Sequence, residues 1–144
     1  MTDATVRSRV AAQLAEVRRD GDAALRRFAA EFDGVEALEI EVPRAVWAEA
    51  LERIDPVLRG VLDRAVRNLE EVHAAFRPTV REVTTADGVV IGRRPDPLVR
   101  VGVYAPGGRA AYPSSVLMGA VPARVAGVGE VILCTPPMRD GLPQ

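Results

Sequence analysis

The 144-residue sequence has one cysteine, Cys134, and one histidine, His73. A single cysteine excludes an internal disulfide and fits a reducing compartment, so a cytoplasmic location is expected. A zinc site needs three or four His, Cys, Asp or Glu ligands. One histidine and one cysteine cannot supply the usual nitrogen and sulfur donors, and no metal-binding residue is assigned. A serine-hydrolase triad has only His73 to draw on, and the G-x-S-x-G elbow is missing. No sign of charge dominates: 19 basic residues stand against 20 acidic ones, for a net charge of -1. The pairs Arg18-Arg19, Arg26-Arg27 and Arg93-Arg94 each lie near carboxylates. They read as solvated faces, and no nucleic-acid partner is expected. No apolar run approaches the ~18 residues of a membrane span. The opening MTDATVRSRVAAQ lacks the apolar region and cleavage site of a secretory leader, so no membrane partner is expected either. Internal repeats and low-complexity tracts are also missing.

Hydrophobic residues make up 48% and charged residues 27%, the balance of an ordered globular chain with material for a core. Val6, Val10, Leu14 and Val17 share one helical stripe. Gly21 stops that helix, and Asp22 is the expected cap of a second, striped by Leu25, Phe28 and Phe32 and ended by Asp33-Gly34. The LEIEV run at 38–42 alternates apolar and acidic residues, which predicts a short strand with one face buried. Pro43 suits the first turn of a third helix. Asp55 is the expected cap of a fourth, where Leu58, Leu62, Ala65, Leu69, Val72 and Phe76 alternate steps of four and three. After Pro78 the character changes. VREVTT and VVIGRR flank Asp87-Gly88, the signal of a hairpin with a type I′ turn. LVRVGVYA (98–105) predicts a strand, Ser114 to Val128 a helix rich in small residues, and EVILCT (130–135) an apolar strand. That succession predicts a βαβ unit with parallel strands. The sheet reads as unfinished, with Val131, Ile132 and Leu133 left uncovered.

Between the strand at 98–105 and the helix lies PGGRAAYPSS. Open α/β sheets bind ligands where a loop leaves a strand's carboxyl end and enters a helix. Gly107 and Gly108 permit a sharp turn and close approach of a ligand. The helix N-terminus near Ser114 and Ser115 favours an anion such as a pyrophosphate. The plainer reading is a turn with serine capping, because the loop has neither a G-x-G-x-x-G fingerprint nor a Walker lysine. His73 lies beside the stripe of Leu69, Val72 and Phe76 and reads as a helix-boundary residue rather than a base. Cys134 reads as a small core residue of a buried strand rather than a nucleophile. Trp47 and Tyr112 have no partner that the sequence names. Pro122 falls inside the last helix, where a proline costs ~3 kcal/mol and kinks the chain.

The stretch RVGVYAPGGRAAYPSSVLMGAVPARVAGVGEVILCTPP (100–137) resembles the histidinol dehydrogenase family through its Y-x-P-G-G core, the A-x-Y-P-S-S-V-L-M run and the P-A-R-V-A-G-V tail. GDAAL at 21–25 and F-D-G at 32–34 agree with it. The resemblance implies an oxidoreductase of histidine biosynthesis, with NAD and zinc as cofactors and L-histidinol as substrate, oxidised to L-histidine in two hydride transfers. It also implies a homodimer with Rossmann-like domains, roughly three times this length. The family's dinucleotide-contacting tyrosine matches Tyr104, so the expected cofactor-binding residues are Tyr104, Gly107 and Gly108. The zinc ligands and acid–base pair match nothing here, and no catalytic residue is assigned. The expected fold class is α/β: the incomplete N-terminal part of a multidomain Rossmann-like dehydrogenase, with a helical first half, a β-hairpin and a βαβ unit. Residues 1–100 are expected to be a partial first α/β domain, mostly helical with the hairpin near 80–94. Residues 101–144 are expected to begin a second, Rossmann-like domain. On this reading the chain alone is inactive. The alternatives are a related alcohol dehydrogenase of the same superfamily and a non-catalytic module for dimerisation or nucleotide binding. A reading frame continuing past Gln144 favours the dehydrogenase, and an expressed short product favours the module.

Overall fold

The computed structural model describes residues 3–36, 39–107, 110–138 and 141–143. Helices α1 (Asp3–Asp20), α2 (Asp22–Phe28), α3 (Arg44–Arg53) and α4 (Pro56–Ala75) come first. Strands β1 (Arg81–Thr84), β2 (Val90–Arg93) and β3 (Arg100–Tyr104) follow, then α5 (Pro113–Val125) and β4 (Glu130–Cys134). This is the expected α/β order. Two compact units form: residues 1–53 with 107–110 and 136–144, and residues 54–106 with 111–135.

In the first unit, Gly21 takes a positive φ of 57° and turns α1 into α2. The cap of α2 is therefore Gly21, not the expected Asp22, which is already the first helical residue. The left-handed turn does the work that a capping side chain would do. Arg27 of α2 reaches back to Glu16 and, at 2.8 Å, to Asp20 of α1. Arg19 holds Asp20 through two further bonds of 2.9 and 3.0 Å. The hydrogen bonds from Arg19 first and Arg27 second keep the Asp20 carboxyl below its ordinary range. Their contribution is thus present at neutral pH and lost as pH falls through that lowered value, and it is small because water screens the cluster. Beyond α2 a π-helical turn spans Ala29–Asp33 and ends at Gly34, with φ 70°. It keeps Phe28 and Phe32 stacked, ring centres 5.7 Å apart, with the Arg9 guanidinium 5.7 Å from the Phe32 ring. Of the expected strand at 38–42, Leu38 lies outside the described residues, and 39–42 form no strand, with a bend at 40–41. Alternation shows which side chains prefer water, but a strand also needs a second backbone to bond.

In the second unit, α4 begins as expected. The Asp55 carboxylate accepts from the N–H groups of Val57 (2.9 Å) and Leu58 (3.0 Å), and Pro56 occupies the first turn. Asp55→Ala is expected to destabilise the unit by about 1 kcal/mol, with Asp55→Ser keeping most of the stability. A denaturant melt of the two variants checks this, and equal loss in both would show that the cap contributes nothing. β1 and β2 pair antiparallel from Arg81↔Arg93 to Thr84↔Val90. The hairpin is right, but its turn is not type I′. Among the described residues no non-glycine has a positive φ, so Asp87 does not, while Gly88 has φ 81°. Gly88 N–H donates to Thr85 O and Thr85 N–H to Val89 O, giving a three-residue loop with one left-handed glycine at its end. That geometry asks for a positive φ at one position only, where glycine accepts it freely.

β3 and β4 are parallel, in register from Arg100↔Glu130 to Tyr104↔Cys134, with α5 as the crossover. α5 packs on both strands, and α4 packs on α5. Gly119 of α5 lies against the Val103 side chain, so Val103 faces the helix. Strand alternation then puts Val101, Val131 and Leu133 on that covered face. Arg100, Gly102, Tyr104, Glu130, Ile132 and Cys134 share the other face, away from α5, and among the described residues no other helix contacts these strands. Arg100 and Glu130 pair across it at 2.6 Å. Cys134 is accordingly exposed, against the expectation of a core residue. A continuous apolar run marks a strand covered on both faces, and here one face is open: Ile132 is 42% exposed, and even Leu133 on the covered face is 41% exposed.

Among the described residues the buried hydrophobics are Ala24, Ala29, Val35, Ala105 and Val121. Two compact bodies of half this chain's mass would together expose about 8,700 Å² by the usual scaling. The chain exposes 11510 Å². Large apolar side chains are among what is exposed, including Trp47, Val57, Phe76 and Val99.

Candidate functional site

The backbone directs attention to the carboxyl end of β3. Tyr104 is the last residue of the strand and points to the open face, 67% exposed. Its neighbour Ala105 is 3% exposed and donates its N–H to Cys134 O at 2.9 Å. One residue past the strand is thus pinned to β4, and the ring beside it is free. A large aromatic at a strand end, anchored by backbone and facing solvent, is a surface on which a planar ring can lie.

α5 begins nine residues after Tyr104, with Tyr112 at its N-cap and Pro113 in the first turn. No side chain caps the helix, which sets aside the plain serine-capped turn. The N–H groups of Ser115 and Val116 return to Tyr112 O at 3.0 and 3.4 Å. Pro113 has no N–H, so Ser114 N–H is the first-turn donor without a partner among the described residues. A helix start with an open donor favours negative charge.

Of the three expected cofactor-binding residues, the structure sets Tyr104 at the strand end of the second unit. Gly107 falls in the first unit, and Gly108 lies outside the described residues. His73 stands elsewhere. It lines an open cleft of about 170 Å³ with Phe76, Pro78, Pro122 and Val125. Pro122 and Val125 belong to the last turns of α5, roughly 15 Å along the helix from its start at 1.5 Å per residue. His73 is therefore at the opposite end of the βαβ unit from Tyr104. Pro122, inside α5, lines this cleft together with residues at the end of α4. Among the described residues no three His, Cys, Asp or Glu side chains gather as a metal site. The parallel pairing of the two strands was expected; the register that sets Tyr104 beside Cys134 is what the sequence did not give.

Comparison with known proteins adds a second line. A family model described as histidinol dehydrogenase matches residues 1–144. The histidinol dehydrogenase of Methanosarcina mazei is 48% identical over 139 residues, covering 96% of this chain and 32% of that protein. That of Pseudomonas putida is 44% identical over 142 residues, again 96% of this chain and 32% of the relative. A crystal structure of histidinol dehydrogenase from Elizabethkingia anophelis superposes with a TM-score of 0.89 at 29% identity, covering 96% of this chain and 32% of that one. The chain spans about a third of the length of the curated relatives it matches.

Proposed function

Since the chain belongs to the histidinol dehydrogenase family, we propose that it is the part of an NAD-dependent enzyme that receives the dinucleotide, in the oxidation of L-histidinol to L-histidine. The observation that carries the reading is the exposed Tyr104 at the carboxyl end of β3, ahead of the α5 N-terminus. Open α/β sheets bind nucleotides at that place. The proposed cofactor-binding residues are Tyr104, Gly107 and Gly108. Tyr104 offers its ring face, the two glycines a backbone without side chains, and Ser114 N–H a donor to a phosphate oxygen. NAD supplies the hydride acceptor, and this chain's share is to hold and orient it.

Zinc belongs to the proposal for the whole protein. The described residues of this chain do not fit it, because they bring no donor set together. The same proposal covers a homodimeric, cytoplasmic enzyme and a domain boundary near residue 100, where a first α/β domain would give way to a Rossmann-like one. No helix among the described residues is long and apolar enough to cross a membrane.

The test is Tyr104→Ala in a complete enzyme of the family. Loss of one aromatic contact is expected to weaken apparent NAD affinity by about tenfold, with zinc content unchanged. Unchanged NAD affinity in a correctly folded variant refutes the assignment and leaves Tyr104 as a packing residue between domains.

A further inference from the structure

The β1–β2 hairpin stands apart from the rest of the second unit. Its two strands pair with each other and touch no other helix or strand among the described residues. A lone two-stranded hairpin is marginal in water, and both of its outer edges carry unpaired backbone groups. Residues directly opposite across an antiparallel pair share a face. The register therefore sets Arg81, Arg93, Val83 and Ile91 on one face, and Glu82, Gly92, Thr84 and Val90 on the other. All of them are exposed. The first face carries two opposed guanidinium groups, a placement in which like charges repel. Neither makes an ion pair among the described residues, whereas Arg94 next to them holds Asp96 at 2.9 Å. The carboxylate within the strands, Glu82, belongs to the other face, where its side chain lies over Gly92: a Cβ at 92 would meet its Cγ at 3.2 Å.

Each edge strand thus offers, on a single face, an arginine and, two residues along, a β-branched side chain, with open backbone beside them. A strand laid against that edge places its own alternate residues on the same face. A carboxylate at one position then meets Arg81 or Arg93, and a β-branched residue two positions away meets Val83 or Ile91. We propose that the hairpin docks an extended acidic segment of another polypeptide, one in which a carboxylate and a β-branched residue alternate on one face. Main-chain bonds to the open edge supply affinity, and the guanidinium groups select the partner. The added carboxylate also relieves the repulsion between Arg81 and Arg93. A nucleic-acid strand fits this face less well. Bases stack on aromatic rings, residues 79–94 include none, and phosphates would leave Val83 and Ile91 uncovered.

The experiment is fluorescence anisotropy of labelled peptides titrated with the full chain. The probe Thr-Glu-Thr-Val-Thr-Glu-Thr puts both carboxylates and the valine on one face, in either direction along an edge. It is expected to bind about tenfold or more tighter than its lysine counterpart, Thr-Lys-Thr-Val-Thr-Lys-Thr. The isomer Thr-Glu-Val-Thr-Thr-Glu-Thr keeps the charge but turns the valine to the other face, and is expected to bind about threefold more weakly than the first probe. R81E/R93E is expected to reverse the preference, taking the lysine peptide over the glutamate one. No binding of the first probe at about 1 mM protein, equal binding of probe and isomer, or a preference that R81E/R93E leaves unchanged overturns the proposal. So does a short oligothymidylate that binds more tightly than the first probe and is released by R81E/R93E, which would make the partner a nucleic acid. If R81E/R93E folds poorly by circular dichroism, R81Q/R93Q decides instead: it must bring the tenfold preference for glutamate over lysine down to about threefold or less, and an undiminished preference overturns the proposal. None of these readings depends on NAD, so a failure here is distinct from a failure at Tyr104.

Discussion

The purified 144-residue chain is expected to reduce no NAD when supplied with L-histidinol and zinc. Hydride departure from an alcohol carbon needs the hydroxyl proton taken up, and a base must lie within about 2.6–3.2 Å of that proton's oxygen. The one histidine, His73, sits in the cleft at the far end of α5, roughly 15 Å by helix rise from the Tyr104 end. The described residues bring no three donors together for a metal that would polarise the hydroxyl. A positioned base contributes on the order of 10²–10⁴ in rate, and a metal several kcal/mol more. Loss of both places turnover below detection. NADH absorbance with chain free of any complete enzyme checks this. Histidinol-dependent turnover that survives His73→Ala would show that another residue of this chain acts as the base, and the division of labour proposed above would be wrong.

Gly119→Ala is expected to destabilise the second unit by about 1–3 kcal/mol, although alanine is the better helix former. A Cβ at 119 would meet Val103 Cγ1 at 2.5 Å, with Cγ2 at 3.4 Å and Cβ at 3.5 Å. Real Cβ atoms do not come so near. Valine cannot turn aside, because rotation about its first side-chain bond brings one methyl in as the other leaves. Helix propensity favours alanine by up to about 1 kcal/mol, and forced overlap in a packed layer costs about 1–3 kcal/mol. The overlap prevails because α5 is the layer that covers β3 and β4, and moving it outward uncovers Val101, Val103 and Val131 together. The check is a double-mutant cycle on denaturant stability. Val103→Ala removes both methyls and should make Gly119→Ala neutral or favourable, with a coupling of about 1 kcal/mol or more. Additive effects of the two substitutions would mean that the helix does not rest on Val103.

The same contact marks where sequence reasoning stopped. The small residues of α5 were legible as a helix, and the parallel pairing of 100–104 with 130–134 followed from the strand–helix–strand order. Which small residue bears the strand was not legible. Gly119, Ala120 and Ala123 are equally small on paper, and only the crossing of helix over sheet selects Gly119. Asp55 was readable as a cap because capping is local, a carboxylate bonding N–H groups two and three residues ahead. The hairpin was readable for the same reason, while its turn type depended on whether two or three residues close the loop.

The sequence by itself determined the helices of the first half, the hairpin, the βαβ order, the loop after β3 and the family to which they belong. All of these rest on spacings of a few residues or on motifs read in line. The tertiary structure alone decided that residues 39–42 find no strand partner, that Cys134 faces outward beside Tyr104, and that His73 stands far from the candidate cofactor end. Burial is a property of pairs of surfaces. VILC at 131–134 is apolar enough for a strand covered on both faces, but among the described residues a helix lies on one face only, and no periodicity within four residues records which face that is.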